Sequence, residues 1–198
     1  MTDGIAAIVG LGNPGAEYAD TRHNAGFWFL DRIAGPGSGL RLQSRFNAQV
    51  GELHLAGRRV WLLAPQTYMN RSGDAVAAFA RYYRLQPGQL LVVHDDLDLA
   101  PGTVRLKRGG GDGGHNGLVD VTGKLGSPDY VRLRIGIGHP GSSRQVVSYV
   151  LRKPSPDERE LIDGAIDRAA ERIGDVVAGE YEKVMNVLHV KTADKDID

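Results

Sequence analysis

Cysteine is absent from all 198 residues. That single gap excludes disulfides, thiolate nucleophiles and Cys-ligated zinc or iron–sulfur centres. Net charge is missing too: 24 Lys and Arg balance 24 Asp and Glu. No global field therefore draws in nucleic acid, and such a partner has to be met by a local basic patch. No apolar run approaches a membrane span. The first residues, Met1-Thr2-Asp3-Gly4-Ile5, carry no basic segment followed by an apolar stretch, so no signal peptide is expected, and a cytoplasmic protein without membrane attachment is. Glycine, by contrast, is plentiful. The 27 glycines bunch at a few places, where backbone must turn sharply or approach a ligand closely.

With 41% hydrophobic residues the chain can fill one real core. Ile5 to Leu11 reads as a buried strand ended by Gly12-Asn13-Pro14-Gly15. Thr21 to Ala34 reads as a capped helix stopped at Gly35-Pro36-Gly37. Phe46 to Leu55 and Arg58 to Ala64 read as strands joined at Ala56-Gly57, and Pro65 to Asn70 as a loop. Ser72 to Tyr83 has a helical Ala/Val/Phe stripe, and Leu90 to His94 the continuous apolar run of a central strand. Val104 to Lys107 reads as a short strand, Gly117 to Leu125 as a helix and Tyr130 to Ile137 as a strand. Pro156 to Ala178 reads as one long helix and Tyr181 to His189 as a shorter one. The alternation predicts an α/β fold with three layers, αβα, around a twisted, mixed, mostly parallel sheet. One domain over residues 1–190 is expected, with a polar tail over 191–198.

Five stretches carry chemistry. Gly10-Leu11-Gly12-Asn13-Pro14-Gly15 satisfies the bare G-x-G-x-x-G dinucleotide pattern after a strand. Pro14, however, pushes Asn13 out of the α region, and the next helix opens too late to put its N-terminus on a pyrophosphate. His23 falls in Thr21-Arg22-His23-Asn24-Ala25-Gly26 at a helix entrance, where the dipole disfavours the imidazolium and keeps the ring neutral and basic. Pro65 to Gly73 holds Tyr68, Met69 and Asn70 just before a helix, material for an apolar shelf with one amide. His94-Asp95-Asp96-Leu97-Asp98 sets three carboxylates at the carboxyl end of a strand, where sites form in open α/β sheets. One of them could orient His23, or His94, Asp95, Asp96 and Asp98 could hold a metal for a metal-dependent hydrolase. Arg105 and Lys107 alternate on a strand and so share one face, a cation pair suited to phosphate. A glycine-dense loop then leads to Asn116.

In order and over nearly the whole chain, these stretches, with Arg132-Leu133-Arg134-Ile135-Gly136-Ile137-Gly138-His139-Pro140, resemble the bacterial peptidyl-tRNA hydrolase family. The resemblance implies hydrolysis of the ester joining peptide to tRNA, with no cofactor or metal. It implies His23 as the base that activates water, Asp95 as the carboxylate that orients it, and Asn13 beside them as a positioning amide. Tyr18, Tyr68, Met69, Asn70 and Asn116 are implied to bind the peptide. Arg105, Lys107 and Arg134 are implied to hold the tRNA at its acceptor stem and 5′-phosphate. A monomer with no obligate protein partner is expected. Two positions depart from the family's pattern. Arg105 stands where Lys is frequent, and its fork binds phosphate bidentately. Asp112 stands where His is common, bringing negative charge near the RNA.

Overall fold

A computed structural model describes residues 4–36 and 39–190. Its centre is a seven-stranded sheet in the order β2-β3-β4-β1-β5-β7-β6. The strands are β1 (Ala7–Gly10), β2 (Arg41–Gln43), β3 (Ala48–Leu55), β4 (Arg58–Pro65), β5 (Leu90–Asp96), β6 (Val104–Arg108) and β7 (Val131–Gly136). The middle four, β4, β1, β5 and β7, pair in parallel. Antiparallel partners close both sides: β3 and β2 beyond β4, and β6 beyond β7. The fold is therefore α/β with a mixed, mostly parallel sheet.

Helices cover both faces. They are α1 (Ala25–Ala34), α2 (Ser72–Tyr83), α3 (Asn116–Leu125), α4 (Val146–Val150), α5 (Pro156–Ala170), α6 (Ile173–Val177) and α7 (Tyr181–Leu188). On one face Ile8, Leu91 and Val93 meet Phe29 of α1, Ile166 of α5 and Val177 of α6. On the other, Val9, Leu63 and Val92 meet Phe79 of α2 and Leu118 and Val121 of α3. Alternate residues of β5 feed the two cores, which is why its sequence is a continuous apolar run. Burying each such side chain contributes roughly 1.5–3 kcal/mol.

Several elements differ from the sequence expectation. The helix expected over Thr21 to Ala34 is a 3₁₀ turn, Arg22–Asn24, followed by α1. Tertiary bonds override helical propensity there. The Arg22 N–H donates to the Arg152 carbonyl, and the Asn24 amide is engaged with the backbone of Asn13. The long helix expected over Pro156 to Ala178 breaks at Glu171 and Arg172 into α5 and α6. Pro156 does open α5, behind a Ser155–Glu158 capping box. The edge strand β2 and the short helix α4 carry too little periodicity to be anticipated. The tail expected from Lys191 lies outside the described residues.

Two glycines, Gly10 of the first stretch and Gly26 of the second, fix the seat of α1. A Cβ on Gly26 would lie 2.5 Å from the Val93 carbonyl oxygen, and one on Gly10 would collide with Leu30 at 2.7 Å. Only bare backbone lets α1 lie this close to β1 and β5. Gly10 and Gly12 of the dinucleotide-like pattern thus serve packing against α1, and α1 opens at Ala25, too far along to meet a pyrophosphate.

Candidate active site

The carboxyl ends of β1, β4 and β5 converge on one cavity of about 550 Å³. Asn13 follows β1, Tyr68 to Asn70 follow β4, and Asp95 lies near the end of β5. In a sheet of this kind the crevice beyond the strand ends is where reacting groups collect.

His23 and Asp95 meet at its floor. His23 Nδ1 lies 3.0 and 2.9 Å from the two carboxylate oxygens of Asp95. Asp95 is 2% exposed and His23 9%. Nδ1–H donates to the carboxylate, so Nε2 carries the free lone pair toward the cavity. Burial by itself would lower the His23 pKa, but the Asp95 charge and hydrogen bond outweigh it and raise it above the usual imidazole value. The sequence reading expected a helix dipole to keep the ring from protonating. That expectation is corrected: His23 sits in the 3₁₀ turn ahead of α1, and its nearest charge is a carboxylate.

A second imidazole serves the same carboxylate. His115 Nε2 donates to Asp95 Oδ1 at 2.8 Å. Its Nδ1 accepts from the backbone N–H groups of Gly117 and Leu118 at 3.1 and 3.3 Å, so His115 caps α3 and its tautomer is fixed. Burial would push the Asp95 carboxyl up, yet the two histidines prevail and hold it well below the usual carboxylate range. His94 is a third ring nearby, its centroid 5.1 Å from that of His115. Its Nδ1–H donates to the Asp95 carbonyl at 2.7 Å. Burial first, then the neighbouring His115, lowers its pKa to about 3, so His94 is neutral.

The amides are set by backbone. Asn13 Oδ1 accepts from the Met69 N–H at 2.7 Å, which leaves the Asn13 NH₂ as a free donor at the cavity wall. Asn24 holds the Asn13 backbone from the other side, bonding both its N–H and its carbonyl at 2.9 and 3.0 Å. Tyr18, Tyr68, Met69, Asn70 and Asn116 line the same cavity. Met69 is buried, Asn70 and Asn116 are exposed, and Tyr68 packs edge-on to Tyr18 at 6.4 Å.

The basic residues gather at the β6–β7 side. Arg105 pairs in register with Arg134 and Lys107 with Arg132, so all four project from one face. Lys107, Arg132 and Arg134 line the cavity. Arg105 stands outside its lining, close enough to His189 for its charge to help lower that imidazole's pKa, after burial. Arg134 Nε is tied to Asp96 Oδ2 at 2.7 Å. Buried Arg132 holds the glycine loop by the carbonyls of Gly111 and Gly110 at 2.5 and 2.6 Å. At the departing position, Asp112 Oδ1 accepts from the Gly114 N–H at 2.9 Å and so shapes the turn into His115.

The rival metal set of His94, Asp95, Asp96 and Asp98 does not converge. His94 bonds the backbone, Asp96 pairs with Arg134 and caps the Asp98 N–H. Among the described residues the one His and acid group with atoms close enough for an ion is His23, Asp95 and His115, whose facing atoms already bond one another. Sequence reading missed His115, because nothing local distinguishes a histidine at the end of a glycine run. It also missed Arg22, whose guanidinium bonds the carbonyls of Tyr149 and Arg152 and pairs with Glu158 at 2.9 Å. Arg22 ties the His23 turn to α4, whose Val146, Val147 and Val150 form the apolar wall of the cavity.

Comparison with known proteins gives one consistent result. The family model described as peptidyl-tRNA hydrolase matches residues 7–196. A peptidyl-tRNA hydrolase of Methylococcus capsulatus is 56% identical over 187 residues, 94% of this chain and all of that protein. One of Neisseria meningitidis is 50% identical over 192 residues, 96% of this chain and all of that protein. The crystal structure of peptidyl-tRNA hydrolase from Acinetobacter baumannii superposes with a TM-score of 0.91 at 47% identity, covering 95% of this chain and 96% of that one.

Proposed function

This chain belongs to the peptidyl-tRNA hydrolase family and hydrolyses the ester between peptide and tRNA, and we propose that His23 is the base that does so. The observation that carries this reading is the His23–Asp95 contact at 2.9 Å on the floor of the cavity. Neutral His23 takes a proton from water through Nε2 as that water attacks the ester carbon. Base assistance of this kind accelerates the step by about 10²–10⁴-fold. Asp95 accepts Nδ1–H and stabilises the imidazolium as it forms, while its own position is held by His115. The Asn13 NH₂ donates to the oxygen that becomes negative, a group already oriented before substrate arrives. Collapse of the tetrahedral centre expels the ribose oxygen, and the proton on His23 returns to it. No cofactor takes part in this sequence.

Tyr18, Tyr68, Met69, Asn70 and Asn116 receive the peptide. Exposed amides at Asn70 and Asn116 suit a peptide bond, which the ammonium of a free aminoacyl ester does not offer. Lys107, Arg105 and Arg134 receive the acceptor stem with its 5′-phosphate. Residues 1–190 act as one domain, as a monomer, in the cytoplasm. None of the described helices is long and apolar enough to cross a membrane.

The decisive test incubates a peptidyl-tRNA and its matching aminoacyl-tRNA with EDTA-treated protein. Peptide is released from the first and the second stays intact. Loss of activity on chelation, or equal cleavage of both, would overturn the proposed chemistry.

A further inference from the structure

A second cavity, of about 530 Å³, opens on the other side of Tyr68, whose ring lines both. Its wall is mixed, and one polar group in it is unsatisfied. Thr67 is 9% exposed, and its Oγ1 is buried with no hydrogen-bond partner. The Gln66 amide reaches only the carbonyls ending its own strand, at 3.3 and 3.4 Å. Two guanidiniums flank these groups. Arg45 is held by the Tyr82 hydroxyl at 2.8 Å and lies over the Phe46 and Tyr82 rings at 5.2 and 4.9 Å, which fixes its fork with N–H groups to spare. Arg71 pairs with Asp74 at 3.1 Å, but Asp74 is also held by Lys124 at 2.7 Å. The charged residues lining the cavity are two cations, Arg45 and Arg71, and one acid, Asp74.

We propose that this cavity is a distal subsite for the peptide of the substrate, favouring an acidic side chain. It rests on the chain acting on peptidyl-tRNA as described above. The unpartnered Thr67 hydroxyl and the Gln66 amide meet peptide backbone, and Arg45 with Arg71 meets a carboxylate. A peptide is the fitting occupant and an RNA strand is not, because of where the cations lie. The cations assigned to tRNA lie on β6 and β7, at the opposite side of the sheet from the β2–β3 turn that carries Arg45. The scissile ester sits at His23, so the peptide leaves past Tyr68 and reaches the second cavity several residues on.

The test scans one Glu or one Lys through hexapeptidyl-tRNAs otherwise made of Ala, which extend about 20 Å. N-acetylaminoacyl-tRNA, too short to reach, is the control. At one position or two adjacent ones, kcat/KM favours Glu over Lys by about fivefold, a modest factor because the guanidiniums are exposed and screened. Arg45→Glu reverses that preference and leaves the control unchanged. Thr67→Val lowers kcat/KM for the long substrates alone. Equal Glu and Lys rates at every position overturn the subsite. So does an Arg45→Glu variant that raises KM for every substrate, the control included, which marks a tRNA contact instead. Failure of the unaltered protein to cleave even the control would strike at the underlying function and is thereby told apart.

Discussion

His115 Nε2 stands 2.8 Å from Asp95 Oδ1, so the carboxylate that steers His23 is itself gripped by a second ring. With both carboxylate oxygens in contact with N–H donors, Asp95 has no freedom to rotate and no reason to accept a proton. A buried charge is costly unless it is satisfied in this manner. The arrangement makes Asp95 a fixed anion and leaves His23 Nε2 with a free lone pair facing the cavity.

A pH signature follows. The His23 pKa is raised by Asp95 against the effect of burial, so kcat/KM falls as pH drops through a value above the ordinary 6.5 or so. In Asp95→Asn the charge goes and burial remains, so the acidic limb moves to lower pH. The rate on its plateau drops by about 10²–10⁴-fold as the imidazolium loses its counterion. Rate profiles of both proteins between pH 5 and 9 check this, and a limb that stays put would remove His23 as the titrating base.

Asn13→Ala lowers kcat by about 10²–10³-fold through loss of a donor to the developing oxyanion, with KM little changed. It also strands the Met69 N–H that Asn13 Oδ1 now satisfies, at a cost of about 1–3 kcal/mol in stability. Single-turnover kinetics and denaturant titration separate the two effects. A rise in KM at unchanged kcat would make Asn13 a binding residue only.

Arg105→Ala with Lys107→Ala raises KM for full-length peptidyl-tRNA several-fold and leaves kcat near its original value. Because each lost phosphate contact removes about 0.7–0.9 from the slope of log affinity against log salt, the double variant is also less salt-sensitive. Binding titrations across salt concentrations measure that slope. An unaltered slope would exclude both side chains from phosphate contact.

Arg22→Ala destabilises the fold by about 2–3 kcal/mol. The arginine is buried, but Glu158 is nearly one-third exposed, so the loss falls short of that for a fully buried pair. Leaving the Tyr149 and Arg152 carbonyls without their donor loosens α4 against the His23 turn and lowers kcat as well. Equilibrium unfolding monitored by circular dichroism reads the first effect. Native stability in this variant would refute the tie.

The sequence made the central pieces legible because they are local. The apolar run of Leu90 to His94 announces a buried parallel strand, and the acids after it fall where strand ends gather. The alternation of Arg105 and Lys107 fixes their shared face. What stayed hidden depends on long-range contact. The entry to α1 turned into a 3₁₀ turn because Arg22 and Asn24 bond residues far away in sequence. The sign of the His23 shift was missed for the same reason: it comes from a carboxylate 72 positions along the chain. His115 and Arg132 have no pattern of their own, and their meaning lies in what the folded loop brings to them.

The close seating of α1 has a final consequence. Gly26 lets main-chain atoms, rather than side chains, set the spacing between the helix that follows His23 and the strand that carries Asp95. Substitutions that reshape the surrounding apolar packing can accumulate without separating the imidazole from its counterion. A single methyl group at position 26 would do the reverse, wedging the two supports apart while every reactive side chain remained present.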